Sequence, residues 1–474
     1  MYIKRLALEN YRGFQNLNID FPKENRNLSV FVGINGAGKS SILDALSVAL
    51  QGFVYSLYSL QDENVEWSLR DLHQFDIHPD DIQVDSDHLF VAADWGDDYK
   101  TISWSISYTQ YFRQLSLFDL ADVDKQANAD FLLSIHAQEL SDYFKSVGVQ
   151  SEKFNSSKLI DTQFLPVIAY YRTRRIEVYS SYNRRVQSPI YSLQSPYGDY
   201  PNSFSISSQY IASLSEWFTS EEDIENAKRL TSNIEYRRPN LQVVRSALET
   251  FAEQMDCSFL QKVQAARLQK NLWNPRTLLT VQKESIRLKI NQLSDGERVL
   301  LALVLDIARR MAVFNPFTNT PEEALQGKGI ILIDEIDLHL HPTWQRMILP
   351  ALTTTFPNCQ FIVTTHSPQV ISSVPSESIF VLDGGSVIYN PGYTHGRDAN
   401  SILRELMDVS DRMPKIQEKI DECFRLVDDE NLEEAKIKLK ALNEILGNND
   451  PDIIHLKTMI DFLEENPSYP ELTS

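Results

Sequence analysis

The stretch Leu28–Ser41, LSVFVGINGAGKSS, decides the fold of this chain. It begins as a run typical of a buried β-strand, continues as a G-x4-G-K-S loop from Gly33 to Ser40, and enters a helical pattern of leucines. The glycines let backbone N–H groups turn toward phosphate oxygens, and the N-terminal end of the following helix adds partial positive charge. The stretch therefore predicts an α/β fold built around a phosphate-binding P-loop.

The loop also supplies candidate ligands for a nucleoside triphosphate. We expect the Lys39 ammonium to reach the β- and γ-phosphates of ATP and the Ser40 hydroxyl to ligate Mg²⁺. The glycines follow the order GxxGxG, which disfavours a dinucleotide-binding fold with its GxGxxG order. The predicted ATP-binding residues are Asn35, Gly36, Ala37, Gly38, Lys39, Ser40 and Ser41.

A second buried strand is predicted far downstream, in GIILIDEIDLHLHP. Its apolar residues Ile330–Ile333 are followed by Asp334 and Glu335, at the strand end where ligands of open α/β sheets bind. Asp334 can hold Mg²⁺ together with Ser40, directly or through water. Glu335 can deprotonate an attacking water, so we predict it as the catalytic base.

A third strand is predicted in CQFIVTTHSPQVI, which ends in Thr365-His366-Ser367. An imidazole at that end could contact the γ-phosphate, which makes His366 a second catalytic candidate. A histidine in such a place is more often an ordinary strand-end residue, and only its position in the order of motifs favours a function.

The segment QLSDGERVLLAL, Gln292–Leu303, carries a possible anion site. Ser294 and Glu297 have the spacing of a capping box, which predicts an amphipathic helix over Val299–Met311 with its N-terminus open to an anion. A plain helix cap is the alternative interpretation. The candidate residues are Ser294, Asp295, Gly296 and Glu297.

The order of these motifs is that of ATP-binding-cassette (ABC) ATPases, and the chain resembles their SMC-like and OLD-like branch. It is most similar to the ATPase subunits, PtuA, of Septu-type anti-phage systems, including retron-associated versions. The stretches that carry the resemblance are IKRLALENYRGFQNLNIDF, FVGINGAGKSSILDAL, LPVIAYYRTRR, LSDGERVLLALVLDIARR, IILIDEIDLHLHPTWQR and FIVTTHSPQVI.

The resemblance implies an ABC-type P-loop ATPase head, a mixed sheet flanked by helices, that hydrolyses ATP with Mg²⁺. It implies a homodimer or higher homo-oligomer in which Ser294 and Gly296 contact ATP held by the opposing subunit. It also implies a separate effector, an HNH-type nuclease. Neither a TOPRIM acidic triad nor an HNH pattern is visible in this sequence.

The sequence predicts four segments. Residues 1–110 and 276–395 form the two parts of the ATPase head, and residues 111–275 form a mainly helical insertion with a head strand near 165–171. Residues 396–474 form a helical array for assembly or partner binding. Three apolar stripes carry this last prediction, namely Ile416, Ile420, Cys423 and Val427; Leu432, Ala435, Leu439, Leu442 and Leu446; and Ile453, Leu456, Ile460 and Leu463.

The composition of the chain bears on which kinds of partner it can bind. The chain has 474 residues and a formal net charge of −20, which argues against a surface that coats nucleic acid. The part from Gly396 to Ser474 holds 19 acidic and 10 basic residues. No long uncharged apolar run and no signal-peptide pattern are found, so we expect a cytoplasmic protein without a membrane partner. Three widely spaced cysteines predict buried thiols.

Two local features keep alternatives open. Arginines alternate with tyrosines in AYYRTRRIEVYSSYNRRVQ, which suits DNA or RNA contact, a loop lining the ATP pocket, or pairing with the acidic tail. These arginines are Arg172, Arg174, Arg175, Arg184 and Arg185. The glutamine-loop contact to the metal could come from Gln74, Asp76 or Asp81.

Three other functions compete with a defence ATPase. A RecF-like DNA repair or recombination ATPase would bind DNA tightly without a nuclease partner. A slow-turnover nucleotide sensor would use ATP to hold a complex shut. A transporter subunit fits the long insertion poorly.

Overall fold

The computed structural model describes residues 2–59, 79–86, 88–96, 101–109, 131–132, 166–173, 208–261, 263–268, 276–315, 319–389, 391–407 and 412–465. The strands are β1 (Tyr2–Tyr11), β2 (Phe14–Asp20), β3 (Leu28–Val32), β4 (His88–Gly96), β5 (Thr101–Thr109), β6 (Phe131–Leu132), β7 (Val167–Tyr171), β8 (Val263–Leu268), β9 (Arg276–Lys283), β10 (Ile286–Lys289), β11 (Gly329–Ile333), β12 (Cys359–Thr364), β13 (Ile379–Asp383) and β14 (Ser386–Tyr389). The helices are α1 (Lys39–Ser59), α2 (Ser208–Thr231), α3 (Pro239–Met255), α4 (Asp295–Phe314), α5 (Pro321–Leu325), α6 (Pro342–Thr355), α7 (Pro368–Ser372), α8 (Ala399–Met407), α9 (Pro414–Asp428), α10 (Leu432–Leu446) and α11 (Pro451–Glu465).

A six-stranded sheet positions the predicted site. Its order is β14-β13-β3-β12-β11-β7, with parallel pairing from β13 to β7 and an antiparallel edge strand β14. Every residue of β3, β7, β11 and β12 is buried, as expected for parallel strands covered on both faces. Because parallel strands end at the same edge, the loops that follow these four strands lie side by side.

Two antiparallel sheets complete the strands of the head. The first has the order β2-β1-β4-β5-β6, and the second has the order β10-β9-β8. The Gln360 side chain of β12 joins the first of these to the parallel sheet, since its Oε1 accepts from Ile3 N at 2.6 Å and its Nε2 donates to Ile3 O at 3.1 Å. Strands β4 and β5, with the sequences HLFVAADWG and TISWSISYT, pair antiparallel within the first sheet. The α/β class with a mixed sheet and flanking helices is confirmed.

The chain divides into two compact units, Met1–Ala399 and Asn400–Ser474. In the second unit, helices α9, α10 and α11 share one buried core, which consists of Ile420, Cys423, Val427, Ala435, Leu439, Leu442, Ile453, Leu456 and Ile460. The predicted apolar stripes therefore pack on one another. The four predicted segment boundaries remain predictions, and the described part of 111–275 contains β6, β7 and β8 besides α2 and α3.

Two smaller observations concern composition. The thiols of Cys257, Cys359 and Cys423 are buried. Among the residues that the structure describes, no helix is both long and apolar enough to cross a bilayer.

Candidate functional site

The P-loop lies between β3 and α1, as its sequence predicts. Gly36 and Gly38 have φ angles of 84° and 95°, in the left-handed region that glycine tolerates best. The Lys39 ammonium donates to the carbonyl oxygens of Gly33 at 3.0 Å and Ile34 at 2.9 Å, inside the curve of the loop. Burial lowers the pKa of Lys39, while Asp334, Glu335 and Asp337 act in the opposite direction. The loop thus gathers a buried cation and N–H groups at the start of a helix.

Ser40 and Asp334 are far apart in sequence but adjacent in space. The Ser40 hydroxyl donates to both carboxylate oxygens of Asp334 at 3.0 Å. Two further hydroxyls also donate to Asp334, from Thr364 at 2.6 Å and from Thr173 at 2.5 Å. Hydroxyl and carboxylate oxygens are the ligands that Mg²⁺ accepts in phosphate-transfer sites, so this donor set fits that ion.

Glu335 follows directly in the loop after β11. Its φ angle is 48°, which is unusual for a residue that carries a Cβ. The side chain of Thr364 at the end of β12 holds this conformation, because its Oγ1 accepts from Glu335 N at 2.7 Å. The Thr364 carbonyl oxygen also accepts from Ile336 N at 3.0 Å. The two strand ends therefore fix the backbone of the candidate base.

His366 lies in the neighbouring loop, after β12. Burial and the Lys39 ammonium lower the pKa of His366, against the raising effects of Asp337, Glu335 and Asp334. Its imidazole is therefore neutral at neutral pH and can both donate and accept a hydrogen bond. The structure thus brings Lys39, Ser40, Asp334 and His366 to one edge of the sheet.

The signature loop Ser294–Glu297 opens α4. The predicted capping box is present, because Ser294 Oγ accepts from Glu297 N while Glu297 Oε2 accepts from Ser294 N at 2.9 Å. Burial opposes the negative charge of Glu297, but its bonds to Lys283 and Ser294 prevail and lower its pKa. The helix begins at Asp295 and ends at Phe314, so it extends the predicted Val299–Met311 at both ends.

The signature loop contacts the loop after β11 within the same chain. A Cβ built on Gly296 would lie 2.5 Å from the carbonyl oxygen of His339, whose own φ angle is 65°. An open cavity of about 650 Å³ lies beside this contact, lined by Ser294, Asp295, Gly296, His339, His341, Thr343 and Trp344. His341 is the N-cap of α6, since its Nδ1 accepts from Thr343 N at 3.3 Å. The absence of a side chain at residue 296 is therefore required by packing.

Sequence reasoning missed a charged cluster beside α1. Arg12 donates to Asp44 at 2.6 Å and to Asp81 at 2.7 Å, and the Tyr170 hydroxyl donates to Asp44 at 2.9 Å. Burial opposes the charge of Arg12, but Tyr11 and the two carboxylates raise its pKa overall. Arg12 lies in the NYRGF turn between β1 and β2, with a φ angle of 50°.

Two predicted residues belong to this cluster. Asp81, a candidate for the glutamine-loop contact, forms an ion pair with Arg12 at 2.7 Å. Arg172, a candidate for nucleic-acid contact, lies over the Tyr170 ring and 3.8 Å from Asp44. The remaining candidates, Gln74, Asp76, Arg174, Arg175, Arg184 and Arg185, lie outside the described residues.

Comparison with known proteins identifies the family. Residues 130–372, just over half of the chain, match the AAA_21 family, described as an AAA domain, putative AbiEii toxin, Type IV TA system. The chain belongs to the AAA_21 family. Residues 1–164 of this AAA_21 protein also match AAA_15, an AAA ATPase domain. The two matches together extend from the P-loop to the strand-end His366, and the AAA_21 protein is accordingly an ATPase.

Individual relatives carry defence-system names. The "Retron Ec83 probable ATPase" of Escherichia coli is 29% identical over 96% of this chain and 86% of its own length. The "Retron Vc95 probable ATPase" of Vibrio cholerae is 28% identical over 80% of this chain and 73% of its own. The "Septu protein PtuA" of Bacillus mycoides (strain KBAB4) is 40% identical over 20% of this chain and 12% of its own. The predicted resemblance to Septu and retron ATPases is confirmed.

The chain is also similar, over shorter stretches or at lower identity, to RecF proteins and to SMC head domains. A RecF protein of Clostridium perfringens (strain SM101 / Type A) is 39% identical over 17% of this chain and 21% of its own. The SMC head domain from Thermotoga maritima has a TM-score of 0.37, with 14% identity, and the match covers 82% of this chain and 99% of that one. The structure of "the recombination mediator protein RecF-ATPrS in RecFOR pathway" has a TM-score of 0.36, with 15% identity, and the match covers 82% of this chain and 98% of that one.

Proposed function

We propose that the AAA_21 protein binds ATP and Mg²⁺ at its P-loop, dimerises around the nucleotide, and uses hydrolysis to control a nuclease partner in anti-phage defence. The observation that carries the catalytic part is the contact between Ser40 and Asp334 at 3.0 Å. That contact joins the phosphate-binding loop to the strand end that bears Glu335. The names of the retron and Septu relatives support the defence role.

ATP binding is assigned to the P-loop. The Lys39 ammonium, which contacts the Gly33 and Ile34 carbonyls, would exchange these partners for the β- and γ-phosphate oxygens. Ser40 and Asp334 would hold Mg²⁺, which neutralises phosphate charge when bound. Burial lowers the pKa of Lys39, and the negative charges of Asp334, Glu335 and Asp337 oppose this effect and favour the ammonium.

Hydrolysis is assigned to Glu335 and His366. The Glu335 carboxylate takes a proton from water as the water oxygen bonds to the γ-phosphorus. The bond from that phosphorus to the bridging oxygen breaks, and ADP leaves with the bond's electron pair. The neutral His366 imidazole would donate to a γ-phosphate oxygen and so hold the phosphoryl group in line.

Dimerisation is assigned to the signature loop. Ser294 and Gly296 lie at the N-terminus of α4, beside an open cavity, and Gly296 approaches His339 in the loop after β11 of the same chain. A helix N-terminus of this kind binds anions. We infer that it receives the γ-phosphate of ATP bound to a second copy, so that two ATPs lie between two subunits.

Partner binding is assigned to the second unit. Several large apolar side chains of this acidic unit are exposed although its own core is complete, namely Met413, Ile437, Ile445, Ile454 and Phe462. Exposed apolar side chains on an acidic unit suit a partner segment that combines apolar and basic side chains. We infer that this partner is the HNH-type nuclease implied by the Septu resemblance.

Steady-state ATP hydrolysis by the purified chain, with its mass measured with and without ATP, tests the catalytic and dimer parts together. Turnover with an ATP-dependent dimer is expected. A chain that binds ATP tightly, dimerises and shows no turnover would instead be the slow-turnover nucleotide sensor. Tight DNA binding in the absence of any nuclease partner would favour a RecF-like role.

A further inference from the structure

Two loops at the sheet edge carry the candidate catalytic residues. The loop after β11, residues 334–341, bears Glu335, and the loop after β12, residues 365–367, bears His366. They are bonded to each other at Asp337, whose Oδ1 accepts from Thr365 Oγ1 at 2.5 Å and from His366 N at 3.4 Å. The positions of the two candidate residues are therefore linked.

A second connection comes from Gln345, in the first turn of α6. Its Nε2 donates to the carbonyl oxygens of Asp337 at 3.2 Å and Leu340 at 3.0 Å, both in the loop after β11. Its Oε1 accepts from Ser367 Oγ at 2.8 Å, in the loop after β12. Among side chains of this length only an uncharged amide offers two N–H donors and an acceptor together. One glutamine therefore bonds both loops.

The loop after β11 needs such support because its backbone is strained. Glu335 and His339 have φ angles of 48° and 65°, and residues with a Cβ keep such angles only where their surroundings hold them. The two carbonyls bound by Gln345 belong to Asp337, between the strained residues, and to Leu340, directly after the second. Loss of the Gln345 amide would free this part of the loop to relax.

We propose that Gln345 is a positioning residue for ATP hydrolysis. Its amide holds the loop that bears Glu335 in a fixed position relative to the loop that bears His366. The proposed base and the imidazole that contacts the γ-phosphate therefore face the same phosphoryl group. The inference rests on the proposed function, because it assigns Gln345 an effect through Glu335 and His366. Gln345 itself contacts neither Lys39 nor Ser40, so it should influence turnover and not nucleotide affinity.

Two substitutions separate the chemistry of the amide from its size. Gln345→Met keeps the length of the side chain but removes both donors and the acceptor. Gln345→Glu keeps an acceptor and directs a carboxylate oxygen at two carbonyl oxygens, which repel it. Since a displacement of reacting groups by about 1 Å can reduce rates about 100-fold, we expect kcat to fall at least tenfold in both variants. The dissociation constant for ATP should stay within about twofold of the wild-type value.

Arg346→Met is the matched control. Arg346 follows Gln345 on α6 and also reaches across to the next helix, where its guanidinium donates to Gln369. It has no bond to the loop after β11 among its described contacts. If the substitutions merely loosened the packing between α6 and α7, kcat would fall in the Gln345 variants and in Arg346→Met alike. The proposed role predicts that kcat falls only in the Gln345 variants.

The experiment measures kcat, KM and ATP affinity for the full chain, these three variants and Glu335→Gln. Reduced kcat with unchanged ATP affinity in Gln345→Met, beside normal turnover in Arg346→Met, supports the proposal. Gln345→Glu decides the question in the same way if the methionine variant is not recovered folded. Turnover near the wild-type rate in the Gln345 variants, or an equal loss in Arg346→Met, overturns it. Absence of turnover in the wild-type chain would instead contradict the proposed function, so the two failures are distinguishable.

Discussion

The carbonyl oxygen of His339 lies 2.5 Å from the point that a Cβ on Gly296 would occupy. The signature loop and the loop after β11 are therefore in backbone contact within one chain. In the proposed dimer, movement of the signature loop would therefore press on the loop that bears Glu335. The contact would thus couple the proposed dimer closure to Glu335, the proposed base.

The substitution Gly296→Ala tests the contact. Alanine is favoured over glycine in a helix by about 1 kcal/mol, but a forced shift of packed backbone costs roughly 1–3 kcal/mol. We expect a lower melting temperature and reduced ATP turnover. Gly13→Ala is the control, since nothing lies within 4 Å of its added Cβ. A more stable Gly296→Ala chain with full turnover would contradict the close contact.

The substitution Glu335→Gln tests the assigned base. The amide keeps the shape of the side chain but cannot take a proton from water, so kcat should fall by about 10²–10⁴ while ATP binding persists. Glu284→Gln is the control, because Glu284 also has a left-handed φ of 52° but lies in the turn between β9 and β10. Wild-type turnover in Glu335→Gln would exclude Glu335 as the base.

The pH dependence of stability tests the environment of His366. Burial and Lys39 lower the pKa of His366 in the folded chain from its ordinary value of 6.5. Above that value both states are neutral and the group has no effect. As pH falls below it, the unfolded chain takes up the proton more readily, so His366 destabilises the folded state.

His366→Asn removes this titration. The melting temperature of the variant relative to wild type should therefore rise when the pH is lowered from about 7.5 to about 5.5, by calorimetry at both values. A constant difference would show that the folded pKa of His366 is not lowered.

Deletion of the second unit tests whether ATP binding and partner binding belong to separate units. Without Asn400–Ser474 the head should still bind ATP, because the core of α9, α10 and α11 is formed among those helices. Binding of the proposed nuclease partner should be lost, as measured by co-purification with and without the deleted unit. A head that no longer folds would show that this unit is part of its core.

A pair of point variants refines that test. Ile437 is 70% exposed and Leu439, two residues further along α10, is 7% exposed. Ile437→Asp should weaken partner binding and leave the unit folded, whereas Leu439→Asp should unfold it, because a charge would enter its core. Unchanged partner binding in Ile437→Asp would remove this face from the interface.

The trans role of the signature loop is tested by mixing two inactive chains. Ser294→Arg should retain ATP binding at its own P-loop but prevent closure, and Lys39→Ala should not bind ATP tightly. In a mixed dimer with two-fold symmetry, one of the two sites combines an intact P-loop with an intact signature loop. Turnover should therefore reappear on mixing, at up to about half the wild-type rate if one closed site suffices.

Steady-state ATPase rates of both parents and the mixture provide the measurement, with mass photometry to show that mixed dimers form. Full activity of Ser294→Arg alone would reject the trans role. The capping box seen between Ser294 and Glu297 would then be the whole function of the loop.

The sequence by itself determined the features that depend on neighbours along the chain. The buried runs of β3, β11 and β12 follow from continuous apolar composition, and the start of α4 follows from the spacing of Ser294 and Glu297. The P-loop followed from glycines whose backbone angles other residues rarely adopt. Because parallel strands end at one edge, the proximity of Ser40 to Asp334 was also predictable from the order of motifs.

Only the tertiary structure decided which distant side chains complete the site. Thr173 and Thr364 donate to Asp334, Arg12 pairs with Asp44, and Gln345 bonds both catalytic loops. Their partners lie on other strands and helices, whereas periodicity reports only on residues two to four positions apart. A threonine, an arginine or a glutamine has the same appearance in sequence whether it faces water or a buried carboxylate. Their roles are set by the packing of loops that meet at the edge of one sheet.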